Sequence, residues 1–422
     1  MNHLSAALAA CFALCMSAAN AHASDLLTLD AAINRVVRSH PELRVFAARA
    51  EVLAAERDEA TQRPAPELEL GLENVLGSGE YHRFAGAELS LNLASTLERG
   101  SKLDARRTLA QARIDAQAPE REIQRLDLLA ETARRYLAVV AARAQVAIGR
   151  DDIAQHAHAL EAARQRQRAG AETEAVVLFA QAAHARAELE HDRAQLTQAA
   201  ALRHLAALWG ERAPQFELAD VDPTQLPQID SLDALLALLD ATPELAIFAS
   251  ERRVREARLR LAQAGSTPDL GWSLGVRRLQ GDRDTALIGG LSLPLGTSAR
   301  SQAAITGARA ELAALEIERE AASLALHSTL IEAHGRYLLA QTEVERLEQE
   351  ILPALAKAER ATERAFRSGA ADYHDWATAQ SERTDARRQQ LQAAVEAQGA
   401  LIEIQRLTGQ PFITRTATGD QP

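Results

Sequence analysis

Residues 337–365 read YLLAQTEVERLEQEILPALAKAERATERA. Tyr337, Ala340, Val344, Leu347, Ile351, Ala354, Ala358, Ala361 and Ala365 follow one another at alternating steps of three and four. That spacing puts small and apolar side chains on one stripe of a helix that wraps against a neighbour. The pattern lies within a longer helix expected over 298–367, where Pro353 is the one proline. Such a helix is roughly 100 Å long, and burying its seam requires neighbours of similar length. Residues 97–168, of the same Ala, Leu, Arg and Glu character, supply one. The two segments stop alike, at Gln167-Arg168-Ala169-Gly170-Ala171 and Phe366-Arg367-Ser368-Gly369-Ala370, with glycine where a helix end calls for a left-handed residue.

Other matches show that the whole plan is duplicated. Pro41-Glu42-Leu43 returns as Pro243-Glu244-Leu245, Pro66-Glu67-Leu68 as Pro268-Asp269-Leu270, and Leu89-Ser90-Leu91 as Leu291-Ser292-Leu293, each 202 positions later. Ala180-Gln181 returns as Ala379-Gln380, 199 positions later. A register held over this distance marks an internal repeat. The first repeat spans 24–225, with strands about 66–75 and 84–94, the long helix 97–168 and a return helix 173–209. The second spans 226–422, with strands about 268–279 and 284–296, the long helix 298–367, a return helix 372–407 and a C-terminal tail. Both belong to one domain.

Met1 to Ala23 contains no Asp, Glu, Lys or Arg, is apolar from Leu4 to Ser17 and ends Ala21-His22-Ala23. Residues 1–23 therefore read as a secretory signal peptide, and the chain is expected to be exported. Leu8-Ala9-Ala10-Cys11 has the residue types of a lipoprotein signal, but only ten residues precede that cysteine and nothing polar follows it. Cys11 and Cys15 are both in this segment, so the rest of the chain has no thiolate for a soft metal and no disulfide. A net charge of −11, with Lys102 and Lys357 the two lysines among 47 basic residues, leaves no basic face for nucleic acid. No later stretch reaches the about eighteen apolar residues of a membrane helix.

The strands point to a membrane of another kind. Leu68, Leu70 and Leu72 alternate with Glu69, Gly71 and Glu73, and Leu89, Leu91 and Leu93 with Ser90 and Asn92. Leu270, Trp272, Leu274 and Val276, then Leu287, Gly289, Leu291, Leu293 and Leu295, repeat the pattern. Period-two alternation of this length is typical of outer-membrane barrel strands, here with Leu89, Leu91, Leu93, Leu291, Leu293 and Leu295 toward lipid. A half-buried soluble sheet alternates in the same way; export and the long flanking helices favour the membrane. Four strands cannot close a barrel, and lipid tolerates no open edge. Two chains would give eight strands with a filled interior, whereas three would give twelve and a pore, so a homotrimer is expected. The fold class is mainly α with a membrane β-barrel: long antiparallel helices in a periplasmic α-barrel, and four strands per chain in a twelve-stranded trimeric β-barrel.

In this order of helices and strands, and in Arg168-Ala169-Gly170-Ala171 and Arg367-Ser368-Gly369-Ala370 followed ten residues on by Ala-Gln, the chain resembles the TolC family of trimeric outer-membrane channel-tunnels. Within that family it is most similar to the CzcC-like outer-membrane subunits of heavy-metal resistance-nodulation-division efflux systems. Glu73-Asn74-Val75, Gly77-Ser78-Gly79-Glu80-Tyr81, Phe84, Gly86-Ala87-Glu88-Leu89 and Leu97-Glu98-Arg99-Gly100-Ser101-Lys102 carry this likeness. The group's usual Leu-Glu-Leu-Gly-Gly-Lys is altered here at Arg99 and Ser101. The resemblance implies a passive exit duct in a tripartite system, with a periplasmic adaptor and a proton-driven inner-membrane pump, in the outer membrane and extending into the periplasm. Heavy-metal cations are the implied cargo; drugs and secreted polypeptides are the alternatives. It also implies that the adaptor docks at the helical tips, at Gly170, Val176, Ala180, Gln181, Gly369, Trp376, Ala379 and Gln380.

No catalytic constellation is legible, and neither an enzyme nor a cofactor is expected. Gly77-Ser78-Gly79 begins a dinucleotide-like spacing, but His82 stands where the third glycine belongs and no helix follows. His184 and His191, His327 and His334, and the pair His156 and His158 lack the spacing of a ligand set, so no metal site is expected. Glu172 and Glu174 flank the first glycine turn, and Asp372 and Asp375 the second. In a trimer these acids would form rings at the periplasmic mouth that favour cations; equally, they suit helix N-terminal capping. A periplasmic coiled-coil adaptor that never inserts is the competing class, and the four alternating strands argue against it.

Overall fold

The computed structural model describes residues 26–412; the expected signal peptide, with Cys11, lies outside the described residues. In chain order the elements are α1 (Leu29–Ser39), α2 (Pro41–Ala60), β1 (Glu67–Glu73), β2 (Glu88–Leu97), α3 (Lys102–Arg168) and α4 (Glu174–Ala206). Then follow α5 (Leu232–Leu238), α6 (Pro243–Ala264), β3 (Leu270–Leu279), β4 (Asp284–Ser292), α7 (Thr297–Arg346), α8 (Leu352–Ser368) and α9 (Tyr373–Thr408). Pro41 and Pro243 each open a helix, where a missing N–H is no loss, with Glu42 and Glu244 favourably placed in the first turn. The chain forms two compact units, one holding Pro41–Leu126 and Asp233–Leu330, the other holding the remainder.

The unit of Pro41–Leu126 and Asp233–Leu330 contains an antiparallel sheet in the order β1-β2-β3-β4. Its register places Leu70 opposite Leu91, Leu91 opposite Val276 and Trp272 opposite Leu291, so one face is apolar across all four strands. The reverse face is mainly polar or small: Gly71 opposes Ser90, Asn92 opposes Gly275, and Ser273 opposes Gly290, with Leu279 and Ile288 as its large apolar members. The apolar face is open in the chain, with Leu291 77% exposed. β1 and β4 each pair on one side only among the described residues. Below the sheet, Leu109, Ala112 and Ala116 of α3 pack on Val254 and Ala257 of α6.

Several boundaries differ from expectation, two of them for a plain local reason. The long helix expected from 97 begins at Lys102, because Gly100 and Ser101 turn left-handed (φ +73° and +60°). A Cβ at Gly100 would fall 2.5 Å from Thr267, so the corner is closed to other residues. The strand expected over 84–94 runs Glu88–Leu97. The strand expected to reach 296 stops at Ser292, since Pro294 cannot donate to a ladder, and Leu293 and Leu295 lie beyond it. The return helix expected to reach 209 ends at Ala206 in a single 3₁₀ turn, Ala207–Trp209.

The helix expected without interruption over 298–367 is broken at Leu347–Ile351 by a π-helical turn, in which the Leu352 N–H returns to the Leu347 carbonyl. Pro353 explains it: the ring removes one backbone donor and crowds the carbonyl four residues back. The wider turn inserts one residue into the period and shifts the seam. Tyr337, Ala340, Val344 and Leu347 are buried as the spacing predicts. Ile351 is exposed, and past the turn Glu359 and Phe366 are buried in place of Ala358 and Ala365. Glu359 is neutralised by Arg383 of α9.

In the other unit, α9 turns a largely alanine face (Ala393, Ala394, Ala397 and Ala400) inward; small side chains let helices approach closely. A matched pair of tyrosines pins the segments outside the helices. The Tyr136 hydroxyl donates to the Leu27 carbonyl at 3.2 Å, and Tyr337 donates to the Pro227 carbonyl. Burial pushes both phenols up to about 12. Leu27 in turn pairs with Leu218 in a single parallel bridge.

Candidate functional site at the helical tips

α3 and α8 both end in left-handed glycines, Gly170 (φ +73°) and Gly369 (φ +80°). Past the first, Ala171 N–H bonds the Arg166 carbonyl at 2.9 Å; past the second, Ala370 N–H bonds the Ala365 carbonyl at 2.8 Å. The two turns are thus copies of one helix stop. Beneath them Ala159, Leu160 and Ala163 of α3, Ala180 of α4, Phe366 of α8, and Tyr373 and Trp376 of α9 form one core. Phe366 meets Trp376 at 5.4 Å and Tyr373 at 6.1 Å between ring centroids.

This core sorts the residues expected to receive an adaptor. Ala180, Trp376 and Gln380 are buried, and Gln380 donates to the Gln155 carbonyl at 3.4 Å. Val176 packs partly buried against the core and Ala379 is half-buried. Gly170, Gln181 and Gly369 are exposed. Aromatic and small residues at helical spacing serve the interior here, as they do in most helix pairs.

The acids divide as well. Asp372 is the N-cap of α9, its carboxylate accepting the Asp375 N–H at 2.9 Å. Glu172 accepts the Thr173 N–H at 3.2 Å and lies 3.7 Å from the Arg166 guanidinium. Glu174 and Asp375 occupy first turns, where a carboxylate meets the positive end of the helix dipole.

Two side chains of α3 reach across to α8. Arg166 donates to the Phe366 carbonyl at 2.5 Å and to its own hairpin's Ala171 carbonyl at 3.2 Å, with its guanidinium 4.8 Å over the Phe366 ring. Two turns earlier His158 Nε2 lies 3.0 Å from Glu363 and 2.7 Å from Arg367. Neither residue stands out in the sequence, since α3 is rich in arginine and a contact across some two hundred positions leaves no local periodicity. Further back, the buried Asp152 accepts Thr384 Oγ1 at 2.9 Å and lies 3.6 Å from His156, whose imidazole is shifted down by burial. His184 pairs with Glu188, and His191 rests against Gly149. Among the described residues no group of three or more His, Cys, Asp or Glu could hold a metal ion, and no helix is long and apolar enough to cross a membrane.

Long helices returning through paired glycine turns, with a four-stranded sheet apolar on one face and polar on the other, define a subunit of a TolC-type channel-tunnel. Residues 32–211 and 235–410 match the family described as outer membrane efflux protein, and the chain belongs to that family. It is 28% identical over 389 residues, 91% of this chain and 90% of the relative, to the cobalt-zinc-cadmium resistance protein CzcC of Cupriavidus metallidurans. A membrane protein from Pseudomonas aeruginosa shares the fold with a TM-score of 0.75 at 17% identity, covering 91% of each chain. The outer membrane protein VceC of Vibrio cholerae does so with a TM-score of 0.73 at 18% identity, covering 91% of this chain and 97% of that one. The protein is an outer-membrane efflux channel, a passive duct and not an enzyme.

Proposed function

We propose that three copies of this chain close a twelve-stranded barrel in the outer membrane and form the exit duct of a tripartite pump for divalent metal cations. The observation that carries the cargo is the relationship to CzcC, named for cobalt, zinc and cadmium resistance, which spans nine-tenths of both chains. The polar face of the sheet supports it. Glu67, Glu69, Glu73, Glu88 and Asp284 lie on that face, against one cation, Arg277, itself bound to Glu88 at 2.8 Å. An acidic bore raises the local concentration of cations and repels anions.

The open edges of β1 and β4 would pair with neighbouring copies, and Leu89, Leu91, Leu93 and Leu291 would face lipid. Leu293 and Leu295, beyond β4, would sit at the lower rim. Glu172, Glu174, Asp372 and Asp375 would ring the periplasmic mouth. A periplasmic adaptor would seat on the exposed part of the tips, at Gly170, Gln181 and Gly369, with the inner-membrane proton-driven pump behind it.

Deleting the gene from a host that carries the matching pump, and restoring it on a plasmid, tests the cargo. Tolerance of zinc, cobalt and cadmium should fall and return together. Unchanged metal tolerance with a loss of tolerance to organic toxicants would transfer the duct to a drug pump.

A further inference from the structure

We propose that Arg278 is a binding site for the phosphate of lipid A, the phosphorylated glycolipid of the outer leaflet, on the lipid-facing surface at the external rim of the barrel. The inference rests on the reading of the sheet as one part of a trimeric outer-membrane barrel.

The register puts Arg278 on the apolar face. Along β3 it follows Leu270, Trp272, Leu274 and Val276 at steps of two, and it stands between Leu89 of β2 and Thr285 of β4. With Leu72, which opposes Leu89, these residues form the last row of that face. Among the described strand residues, Arg278 is the one charged side chain on it. The counterpart 202 positions earlier, in the first repeat, is Leu76. β3 is paired on both sides, so closing a barrel through β1 and β4 leaves Arg278 uncovered.

Its height on the face matches a headgroup layer. The helices join the sheet at the opposite end, where Glu67, Leu97, Leu270 and Ser292 stand. Arg278 is eight residues beyond Leu270, a rise of about 26 Å along the strand. At a tilt of about 40° this becomes about 20 Å along the membrane normal, close to the ~25 Å apolar band of such barrels. The guanidinium therefore meets headgroups on the side away from the periplasmic helices, which is the outer leaflet.

The acids at this end of the sheet are turned away from it. Glu73 and Glu88 lie on the reverse face, 3.9 Å and 2.8 Å from Arg277, and Asp284 lies there too. Arg278 donates to Thr285 Oγ1 at 3.4 Å and forms no ion pair among the described residues. One long hydrogen bond leaves most of the guanidinium fork free, and a phosphate accepts such a fork through two oxygens. Beneath it Leu89, Leu91 and Val276 are exposed and apolar, as acyl chains require. The β1–β2 loop at the same end carries Tyr81 and Phe84, also exposed, the kind of side chain that lines a membrane interface. That loop is tied to the end of β3, since the Gln280 N–H donates to the Ala87 carbonyl at 2.9 Å. A lone cation above an apolar wall fits a lipid that is both phosphorylated and acylated.

The test is native mass spectrometry of the detergent-purified protein titrated with lipid A, with dephosphorylated lipid A and with phosphatidylglycerol. The parent should hold one lipid A per chain and should prefer it to the dephosphorylated form on the order of ten-fold. Arg278→Gln should weaken lipid A binding by a similar factor, and Arg278→Lys by less. Arg83→Gln, which removes a cation from the β1–β2 loop, should leave it unchanged. Parental binding in Arg278→Gln, or equal binding of the two lipid A forms by the parent, would overturn the proposal. Phosphatidylglycerol held as tightly as lipid A would also overturn it, as would an equal loss in Arg83→Gln, because the attraction would then be one of general charge. Should Arg278→Gln fail to assemble, the parent's response to the two lipid A forms decides the question. A parent that stays monomeric in detergent would instead refute the barrel on which the inference rests.

Discussion

Lys102 Nζ stands 2.7 Å from Asp269 Oδ2, joining the first turn of α3 in one repeat to the residue before β3 in the other. Asp269 also accepts the Arg99 N–H at 3.0 Å. Beside this pair Arg106 grips Glu98 and donates to the Ala60 and Gln62 carbonyls. The Leu97-Glu98-Arg99-Gly100-Ser101-Lys102 stretch is thus the corner at which strand becomes helix. Its charged residues hold the ends of α2, β2 and β3 to α3.

Stability should depend on pH through this corner. The Arg106 hydrogen bond holds the Glu98 carboxyl below the ordinary carboxylate range, against the upward push of burial. A depressed carboxylate contributes stability above its ordinary value, and the contribution is lost as pH falls through the folded value. The melting temperature should therefore drop on acidification below about pH 4, and less steeply in Glu98→Gln. Arg106→Ala should cost about 1.5–3 kcal/mol at neutral pH, from lost bonds to a charged group. Parallel acid profiles for the parent and Glu98→Gln would refute this account of the corner.

The two faces of the sheet should respond oppositely to charge. Leu91→Arg places a cation on the apolar face and should cost roughly 2–4 kcal/mol per copy at mid-membrane. Asn92→Arg, on the polar face, should be tolerated. Comparing trimer levels in outer-membrane fractions tests this, and equal levels would reverse the faces or the membrane.

Gly275 should not accept a side chain. A Cβ there would collide with the Asn92 side chain and would lie 2.6 Å from the Leu91 carbonyl, which is backbone and cannot move aside. Gly275→Val should destabilise the sheet by roughly 1–3 kcal/mol, and Asn92→Gly should recover only part of the loss. Full recovery in the double variant would show that the backbone contact is unimportant.

Neutralising Asp372 and Asp375 together as asparagine should preserve the α9 cap, since asparagine caps as well as aspartate. It should also remove six negative charges from a trimer, two from each of three chains. Reversal potentials across a salt gradient should move toward non-selective values while open-state occupancy stays near the parent's. A parental reversal potential would leave these carboxylates with capping alone.

Much of this protein was settled by local chemistry. Three-four spacing in 337–347 and period-two alternation around Leu70 and Leu91 name helix and strand because 3.6 and 2.0 residues per repeat are properties of the backbone. The 202-residue offset named the duplication, and Gly170 and Gly369 marked helix ends because only glycine takes φ near +75° without strain.

Tertiary structure decided what depends on neighbours distant in the chain. Pro353 could be read as a flaw in a helix. That it yields a π-helical turn, moves the seam by one residue and buries Glu359 against Arg383 follows from the packing of α9, which no period within α8 records. Trp376 and Gln380 had the place of surface residues at a tip, and Phe366 and Gln155 turned them inward. Arg166 was one arginine among many on a long helix, and its role exists only because the carbonyl it caps belongs to Phe366, two hundred residues away.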